Sequence, residues 1–240
     1  MTRSDTVWQQ AELSKSFLEG VRGAIPLAAQ QMEIMLKIIE AACPKVEKFL
    51  DLGCGDGVLG RAILAKYPDA SGIFLDFSEP MLEAAKSKVE NQDVEFIGAD
   101  FGKKDWVISV QNQGGFDVIV SGFAIHHQTD ERKKEIYAEI YQLLKPGGIF
   151  LNLEHVSSNS QWVEKVFDEI FIDSLYSYQP TKSRSEIAQE YYHRPDKAAN
   201  ILAPVEIQGD WLRELGYINV DCYFKLFEIA LFGGMRPQKL

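Results

Sequence analysis

The sequence predicts an α/β fold: a doubly wound, mostly parallel sheet of seven strands that ends in an antiparallel hairpin. Three observations lead to this prediction. Short apolar runs alternate with helical segments from residue 48 to residue 153. A glycine-rich turn, GCGDG, follows the first apolar run directly. The C-terminal stretch YINVDCYFKLFEIALFGG has the pattern of two adjacent β-strands.

The first elements along the chain are helical. Apolar residues recur at helical spacing over residues 28–41, and a weaker helical pattern covers residues 6–19. Together they predict a helical N-terminal cap over residues 1–44, which Pro44 ends.

The alternating region, residues 45–155, is the predicted core. Its apolar runs predict buried strands at Lys48–Leu52, Gly72–Asp76, Val94–Ile97, Phe116–Val120 and Ile149–Leu153. Helices are predicted between them at Val58–Lys66, Pro80–Glu90, Lys103–Val110 and Asp130–Leu144, the last of which is ended by KPGG. Repeated strand–helix alternation favours right-handed crossovers and a parallel sheet covered on both faces.

The last third of the chain departs from this rhythm. Helices are predicted at Trp162–Asp173 and Gly209–Leu215, and residues 174–204 form a tyrosine-rich insert between strands 5 and 6. An insert of this length exceeds an ordinary crossover and is predicted to lie over the ligand end of the sheet, as a lid or a dimer contact.

Composition narrows the classes of partner. A chain of 240 residues with 46% hydrophobic residues fits a single domain with a large core. The net charge of −10 disfavours nucleic acid, and the basic run Arg132-Lys133-Lys134 is predicted to be a solvent-exposed face of its helix. With three scattered cysteines and no membrane-spanning or secretion segment, we expect a cytoplasmic monomer or homodimer with no membrane partner.

The glycine loop can be aligned in two registers. G-x-G-x-x-G starting at Gly55 is the spacing of dinucleotide-binding loops. A ladder one step earlier, Asp51-x-Gly53-x-Gly55-x-Gly57, ends the strand at Asp51. That carboxylate would repel pyrophosphate and suits a ligand that carries an ammonium group. In the second register Gly60 is a helix residue that allows close packing against the sheet.

Five segments in order resemble the motifs of class I S-adenosylmethionine (SAM) dependent methyltransferases: LDLGCGDG, GIFLDFSEPML, VEFIGAD, FDVIVSGFAIHH and LLKPGGIFLNLE. The resemblance covers residues 48–154 and implies a Rossmann-like fold that uses SAM and releases S-adenosylhomocysteine. It implies that Asp76 grips the ribose hydroxyls and that Asp100 meets the adenine amino group. The cofactor-binding residues that we predict are Asp51, Gly53, Cys54, Gly55, Gly57, Asp76, Phe77, Asp100, Phe101, Ser121 and, approaching the cofactor carboxylate, Arg22.

Candidate catalytic residues follow the fourth and fifth strands, whose ends face the ligand crevice of such a sheet. His126 or His155 is predicted to be a general base or an acceptor-orienting group, with Glu154 beside them. Neighbours on a strand point opposite ways, so Glu154 and His155 should not both face the substrate. Hydrogen-bonded polar loop residues are the alternative, and a metal site formed with His127 is not expected because the spacing is not a metal signature.

Missing motifs leave a small molecule as the foremost methyl acceptor. The N/D-P-P-Y motif of nucleobase amine methylation and a Pro-Cys nucleophile are absent from the matching positions. R-x-x-I-P before the sheet and WLRELGYINVDCYFKLFEIALFGG at the end resemble the carboxy-SAM synthase branch, which acts on SAM for tRNA wobble modification. Methyl transfer is preferred; carboxy-SAM synthesis and a non-catalytic SAM-binding module stay as alternatives.

Overall fold

A computed structural model of the protein describes residues 4–10, 12–13, 21–89, 93–179 and 181–238. The strands are β1 (Lys48–Leu52), β2 (Ser71–Asp76), β3 (Val94–Gly98), β4 (Phe116–Gly122), β5 (Leu144–His155), β6 (Ile218–Leu226) and β7 (Ile229–Met235). The helices are α1 (Ala28–Ala42), α2 (Val58–Lys66), α3 (Glu79–Lys86), α4 (Trp106–Val110), α5 (Asp130–Leu143), α6 (Gln161–Tyr178), α7 (Arg184–Tyr192), α8 (Pro195–Ala198) and α9 (Val205–Glu214). Single 3₁₀ turns occur at Ser4–Gln9, Val21–Ala24, Gln111–Gln113 and Ile125–His127.

The seven strands form one sheet in the order β3-β2-β1-β4-β5-β7-β6. Strands β1 to β5 are parallel, and β7 pairs antiparallel with both β5 and β6. This arrangement confirms the predicted α/β class, the doubly wound order and the C-terminal hairpin. Strand order reverses at β1, whose neighbours are β2 and β4, and the carboxyl ends of strands at such a point form a ligand crevice.

Two hydrophobic cores cover the two faces of the sheet. Successive strand residues alternate between them, so that Phe49 packs in one core and Leu50 in the other. Helices α1, α2 and α3 supply the first core, and α4, α5 and α9 supply the second. The residues that close the strands are therefore held from both sides, which fixes the positions of the site residues that follow them.

Several element boundaries differ from the predicted ones. Strand β5 begins at Leu144 instead of Ile149, because Leu144 pairs with Phe116 ahead of an irregularity in the β4 ladder and Gly147, at φ 84°, carries the chain through the extended KPGG segment. Helix α3 ends at Lys86, before the predicted end at Glu90.

Helix α6 is longer than predicted and extends into the insert. Its last turns are stabilised because Ile172 and Leu175 are buried against Ile187 and Tyr191 of α7. Helix α7 begins with a capping box, in which the Ser183 side chain and Glu186 satisfy each other's backbone N–H groups. The end of α6 and helix α7 therefore form a packed helical hairpin in the insert. The role predicted for the insert, a lid or a dimer contact, remains a prediction.

The N-terminal cap is described in part. Helix α1 matches the predicted helix over residues 28–41, and residues 4–9 form a 3₁₀ turn. Residues 11 and 14–19 of the predicted helix over residues 6–19 lie outside the described residues. Among the described residues, no helix is both long enough and apolar enough to cross a membrane.

The prediction of a solvent-exposed basic face is wrong for two of its three residues. Arg132 is 9% exposed and Lys133 is 1% exposed, whereas Lys134 lies at the surface. Both buried cations are hydrogen-bonded: Lys133 Nζ donates to Asp130 Oδ1 at 2.7 Å and to the backbone oxygen of Ile201. Burial of these charges is possible because each has several acceptors within reach.

Candidate active site

The candidate site is a cavity at the carboxyl ends of β1, β2, β4 and β5, over the glycine turn that leads into α2. Gly53 and Gly55 have φ values of 68° and 54°, in the left-handed region that favours glycine. An added Cβ at Gly53 would lie 2.5 Å from Ala124 Cβ, whereas one at Gly55 would meet nothing within 4 Å. The backbone of this turn can therefore approach a ligand closely.

Asp76, at the end of β2, is a buried carboxylate beside the glycine turn. Its Oδ2 accepts the N–H of Gly55 at 2.8 Å, and its Oδ1 accepts the N–H of Ser78 at 2.8 Å. Burial raises the pKa of Asp76 to about 6, although the backbone N–H groups that it accepts act in the opposite direction. Asp76 lines the cavity beside Phe77, where its carboxylate can accept hydrogen bonds from hydroxyl groups.

Asp51 ends β1 and ties the strand to helix α2. Its Oδ2 accepts the N–H of Gly60 at 2.8 Å, and a Cβ added at Gly60 would overlap the ring of Phe74. The close helix–sheet packing expected at Gly60 is therefore observed. Asp51 is nearly fully buried and also lines the cavity, so one carboxylate serves the fold and borders the ligand space.

The other predicted cofactor residues divide into two groups. Those that line the cavity along with Asp51 and Asp76 are Gly53, Cys54, Gly55, Phe77, Asp100 and Phe101. Gly57 and Ser121 do not: Gly57 caps helix α2, and the buried Ser121 hydroxyl donates to the backbone oxygen of Leu52 at 2.8 Å. The side chain of Arg22 lies outside the described part of the structure.

A histidine–glutamate pair belongs to another part of the cavity wall, after β4 and on β5. His126 Nδ1 lies 2.5 Å from Glu154 Oε1, and the backbone N–H of His126 donates to Glu154 Oε2 at 3.0 Å. His126 lines the cavity, whereas Glu154, on β5, is fully buried and does not. The alternation of side chains along β5 thus places Glu154 behind His126 and His155 in the wall, as strand geometry requires.

Glu154 is surrounded by donors. Besides the two contacts from His126, its carboxylate accepts the N–H of His155 at 3.0 Å and lies 3.5 Å from Asn152 Nδ2. Burial nevertheless raises the pKa of Glu154 to about 7, because desolvation of the charge outweighs the hydrogen bonds and nearby positive charge. A carboxylate on Nδ1 fixes the imidazole orientation and favours the tautomer in which Nε2 accepts a proton.

The two neighbouring histidines are held differently. His127 Nε2 accepts from Trp8 Nε1 at 2.9 Å, and its Nδ1 lies 3.3 Å from the backbone oxygen of Ala199. His155 Nε2 lies 3.0 Å from Glu228 Oε2, and its Nδ1 lies 3.4 Å from the side-chain nitrogen of Asn200. Each of these rings therefore has a protein partner at both nitrogens.

The insert forms a further part of the wall. Its cavity-lining residues are Tyr191, Arg194, Lys197 and Asn200, and the aromatic side chains of Phe123, Phe167 and Phe171 line the same cavity. Lys197 Nζ pairs with Asp168 Oδ1 at 2.9 Å, and Tyr191 donates to the same oxygen at 2.5 Å.

The end of the insert is fastened to the histidine turn. The backbone N–H of Ile201 donates to the backbone oxygen of His126 at 2.9 Å, and the Ile201 oxygen accepts from the Lys133 ammonium group. Together with the contacts of Ala199 and Asn200, these bonds hold residues 199–201 against the three cavity histidines.

The donor set does not resemble a metal centre. Within the described ranges, His, Cys, Asp and Glu side chains form no group of three or more that could hold a metal ion. The pairing of His126 with Glu154, and of His155 with Glu228, instead places one carboxylate on one nitrogen of each ring.

Sequence reasoning did not find several residues of the site. Trp8, Arg194, Lys197 and Asn200 line the cavity, and Glu228 holds His155 from the β6–β7 turn. The hydrogen-bond partners of the Trp8, Lys197, Asn200 and Glu228 side chains lie 29 to 119 positions away along the chain, so no local pattern marks them. The doubled histidine after β4 was the one available signal for His127.

Comparison with known proteins places this geometry in context. Residues 49–148 match the family described as methyltransferase domain. A carboxy-S-adenosyl-L-methionine synthase from Nautilia profundicola is 25% identical over 225 residues, which cover 92% of this chain and 91% of that protein. A demethylmenaquinone methyltransferase from Leptospira interrogans is 31% identical over 156 residues, 59% of this chain and 61% of that protein.

Solved structures agree with the fold. An O-methyltransferase family protein from Burkholderia thailandensis matches with a TM-score of 0.61 and covers 87% of this chain and 57% of that chain. The identity is 16%, so this likeness concerns the fold alone.

Proposed function

Because the chain belongs to the class I SAM-dependent methyltransferase family, with SAM as its cofactor, we propose that it is an enzyme that methylates a hydroxyl group of a small, ring-bearing acceptor. The observation that carries this proposal is the contact of 2.5 Å between His126 and the buried Glu154 in the cavity wall. A general base is needed only where the acceptor must lose a proton, and a hydroxyl group must.

We place the cofactor along the wall formed by residues 51–101. Asp76 would accept the ribose hydroxyls, and Asp100 with Phe101 would border the adenine. The turn at Gly53 and Gly55 would lie against the amino acid part of the cofactor, with Asp51 near its ammonium group. The buried carboxylates and the open backbone at Gly55 support this fit.

His126 would act as the general base. When bound, SAM supplies an electrophilic methyl group, so the protein contributes alignment, desolvation and removal of the acceptor proton. The proton from the acceptor hydroxyl would pass to His126 Nε2, and above about pH 7, where Glu154 is ionised, its carboxylate would stabilise the imidazolium through Nδ1. His155 lines the same cavity, and Asn200 and Glu228 contact its two nitrogens.

The aromatic wall supports a ring-bearing acceptor. Phe123, Phe167, Phe171 and Tyr191 line the same cavity as His126 and offer flat apolar surfaces to a planar molecule. The acceptor would lie between these rings and the cofactor, beneath the insert.

A variant series tests the base. His126→Ala should lower turnover about 100- to 10,000-fold while leaving SAM affinity near that of the wild type, and His155→Ala should lower turnover less. Turnover is measured with methyl-labelled SAM and a panel of phenols, quinols and hydroxy acids, with products identified by mass spectrometry. His193→Ala is the matched control, because His193 is an exposed histidine of the insert and does not line the cavity.

Two results would contradict the proposal. One is wild-type turnover by His126→Ala, which would exclude His126 as the base. The other is a complete absence of labelled product across the panel from wild-type protein that binds SAM, which would favour a binding module or a different reaction.

A second candidate function is carboxy-SAM synthesis. The relative of that name matches over 91% of its length, and Arg194 and Lys197 place two cationic side chains in the cavity wall, where a carboxylate could be received. The mass of the cofactor that co-purifies with the protein separates the two candidates, because carboxy-SAM is heavier than SAM by one carboxyl group. A carboxylated cofactor would displace O-methylation as the main reaction.

The setting that we propose is a cytoplasmic monomer or homodimer acting on a free small molecule. Cys43, Cys54 and Cys222 are free thiols, as expected in a reducing compartment. The charge of −10 supports a small-molecule partner over nucleic acid.

A further inference from the structure

A buried guanidinium group lies behind the loop that follows β3. Arg132, in the first turn of α5, directs its side chain towards residues 101–103, and that side chain is 10% exposed. Its Nε and Nη2 donate to the backbone oxygen of Phe101 at 3.1 and 2.8 Å, and Nη2 also donates to that of Lys103 at 3.0 Å. One side chain thus holds two carbonyl groups of one short loop.

The opposite side of this loop faces the cavity. Asp100 and Phe101 line it, and Asp100 Oδ1 accepts the N–H of Gly102 at 2.9 Å, which tightens the turn. The ring of Phe101 also lies under the glycine loop, where an added Cβ at Gly53 would be 3.0 Å from it. A change in the Phe101 peptide would therefore move two parts of the wall together.

Acidic partners hold the guanidinium in one orientation. Glu139 accepts from Nη1 at 2.8 Å and from Nη2 at 2.7 Å, and Glu135 accepts from Nη1 at 3.1 Å. Trp106 Nε1 donates to Glu139 at 2.6 Å, which fixes the carboxylate in turn. A lysine ammonium group cannot make this set of contacts, because it lacks the planar fork of donors and cannot form a bidentate pair.

We propose that Arg132 is a positioning residue for the cofactor, and that it sets SAM affinity by fixing the loop of Asp100 and Phe101. The contacts place its effect at the end of the cofactor that this loop borders, which is the adenine end in the proposed function. The inference rests on that cofactor placement and is independent of the identity of the methyl acceptor.

The test measures binding of SAM, S-adenosylhomocysteine and 5′-methylthioadenosine to the wild type, Arg132→Lys and Arg132→Met by calorimetry, below the unfolding temperature of every variant. We expect both variants to bind SAM about 10- to 50-fold more weakly, from the loss of several charge-assisted hydrogen bonds. The loss should be of the same size for 5′-methylthioadenosine, which lacks the amino acid tail. Lys134→Met is the matched control, because Lys134 lies two positions along the same helix at the surface.

The readout separates positioning from general loosening of the fold. A structural defect spread over the site would weaken SAM more than 5′-methylthioadenosine, and that pattern would overturn the inference. So would a folded Arg132→Lys with wild-type affinity. Should Arg132→Met fail to fold, Glu139→Gln loosens the guanidinium while keeping it, and an unchanged SAM affinity in that variant would likewise overturn the inference.

Failure of the inference is distinguishable from failure of the proposed function. A wild-type protein that binds SAM, with variants that bind it equally well, rejects the role of Arg132 alone. A wild-type protein with no measurable SAM affinity rejects the proposed cofactor site, and the role of Arg132 with it.

Discussion

The two walls of the cavity are built in different ways. The wall proposed for the cofactor comes from the ends of β1, β2 and β3, and backbone groups make much of it: Asp76 accepts the N–H groups of Gly55 and Ser78. The wall around the three histidines, His126, His127 and His155, is assembled from side chains that are distant in sequence. Trp8 reaches His127 across 119 positions, and Glu228 reaches His155 across 73.

This difference affects which amino-acid substitutions each wall can tolerate. A wall made of backbone in left-handed or closely packed conformations depends on a few glycines and carboxylates, and few substitutions preserve it. A wall of paired side chains can change residue by residue while the sheet stays intact. The first arrangement suits a ligand whose chemistry is constant, and the second suits an acceptor whose chemistry varies.

The largest expected effect is at Asp76. Asp76→Ala removes the carboxylate that would hold the ribose and releases the N–H groups of Gly55 and Ser78, so SAM should bind about 100-fold or more weakly, about 2.7 kcal/mol. Calorimetric titration with SAM measures this, and Asp69→Ala, at the surface before β2, is the control. Wild-type affinity in Asp76→Ala would show that the cofactor does not lie along this wall.

The next effect tests the packing beneath the glycine turn. Gly60→Ala should lower the free energy of unfolding by about 1–3 kcal/mol, because the new methyl group overlaps the Phe74 ring and crowds Asp51. Urea unfolding followed by circular dichroism gives the value. Gly98→Ala is the control, because a Cβ there would meet only Leu82, at 3.9 Å, and the two variants should differ clearly.

The smallest of the three effects concerns Glu154, behind the wall around the histidines. The pKa of Glu154 is raised from 4.5 to about 7. Between these two pH values the folded state therefore holds a proton on Glu154 that the unfolded state has released. The stability contribution of the neutral carboxyl is present below about pH 4.5 and is lost as the pH rises through about 7. Glu154→Gln stays neutral, and relative to the wild type it should therefore gain about 1–2 kcal/mol between pH 5 and pH 8.

Thermal unfolding at several pH values measures this difference. Glu214→Gln, at the surface on α9, should show no such trend. If the gap between Glu154→Gln and the wild type stayed constant or narrowed as the pH rose, Glu154 would already be ionised throughout the range, and its pairing with His126 would be a fixed ion pair.

For a physical reason, sequence patterns predicted which residues line the wall proposed for the cofactor better than which residues line the wall around the histidines. Strand alternation and the glycine turn are local, so helix Val58–Lys66 and the lining by Asp51, Gly53 and Asp76 follow from short windows. The prediction of a solvent-exposed face at Arg132 and Lys133 was wrong because charged side chains are usually solvated. The backbone oxygens of Phe101 and Ile201 that accept their hydrogen bonds are not visible in the sequence.

The histidines of the site were predicted in part: their positions follow from the sequence, and their hydrogen-bond partners do not. Their place after β4 and β5 was predicted, because strand ends meet at one edge of a parallel sheet. Which nitrogen each ring offers depends on partners such as Glu228 and Asn200, which only the folded chain brings near.

Trp8 couples the two walls. Its backbone oxygen accepts from the hydroxyl of Ser78, whose own N–H is bound by Asp76, and its indole donates to His127. A ligand that tightens either of these contacts changes the free energy of the whole segment, and thermodynamic reciprocity then requires that each ligand alter the affinity of the other by the same factor. The order in which cofactor and acceptor bind cannot change the size of that factor, so a titration of either ligand in the presence of the other measures the total coupling to which the contacts of Trp8 contribute.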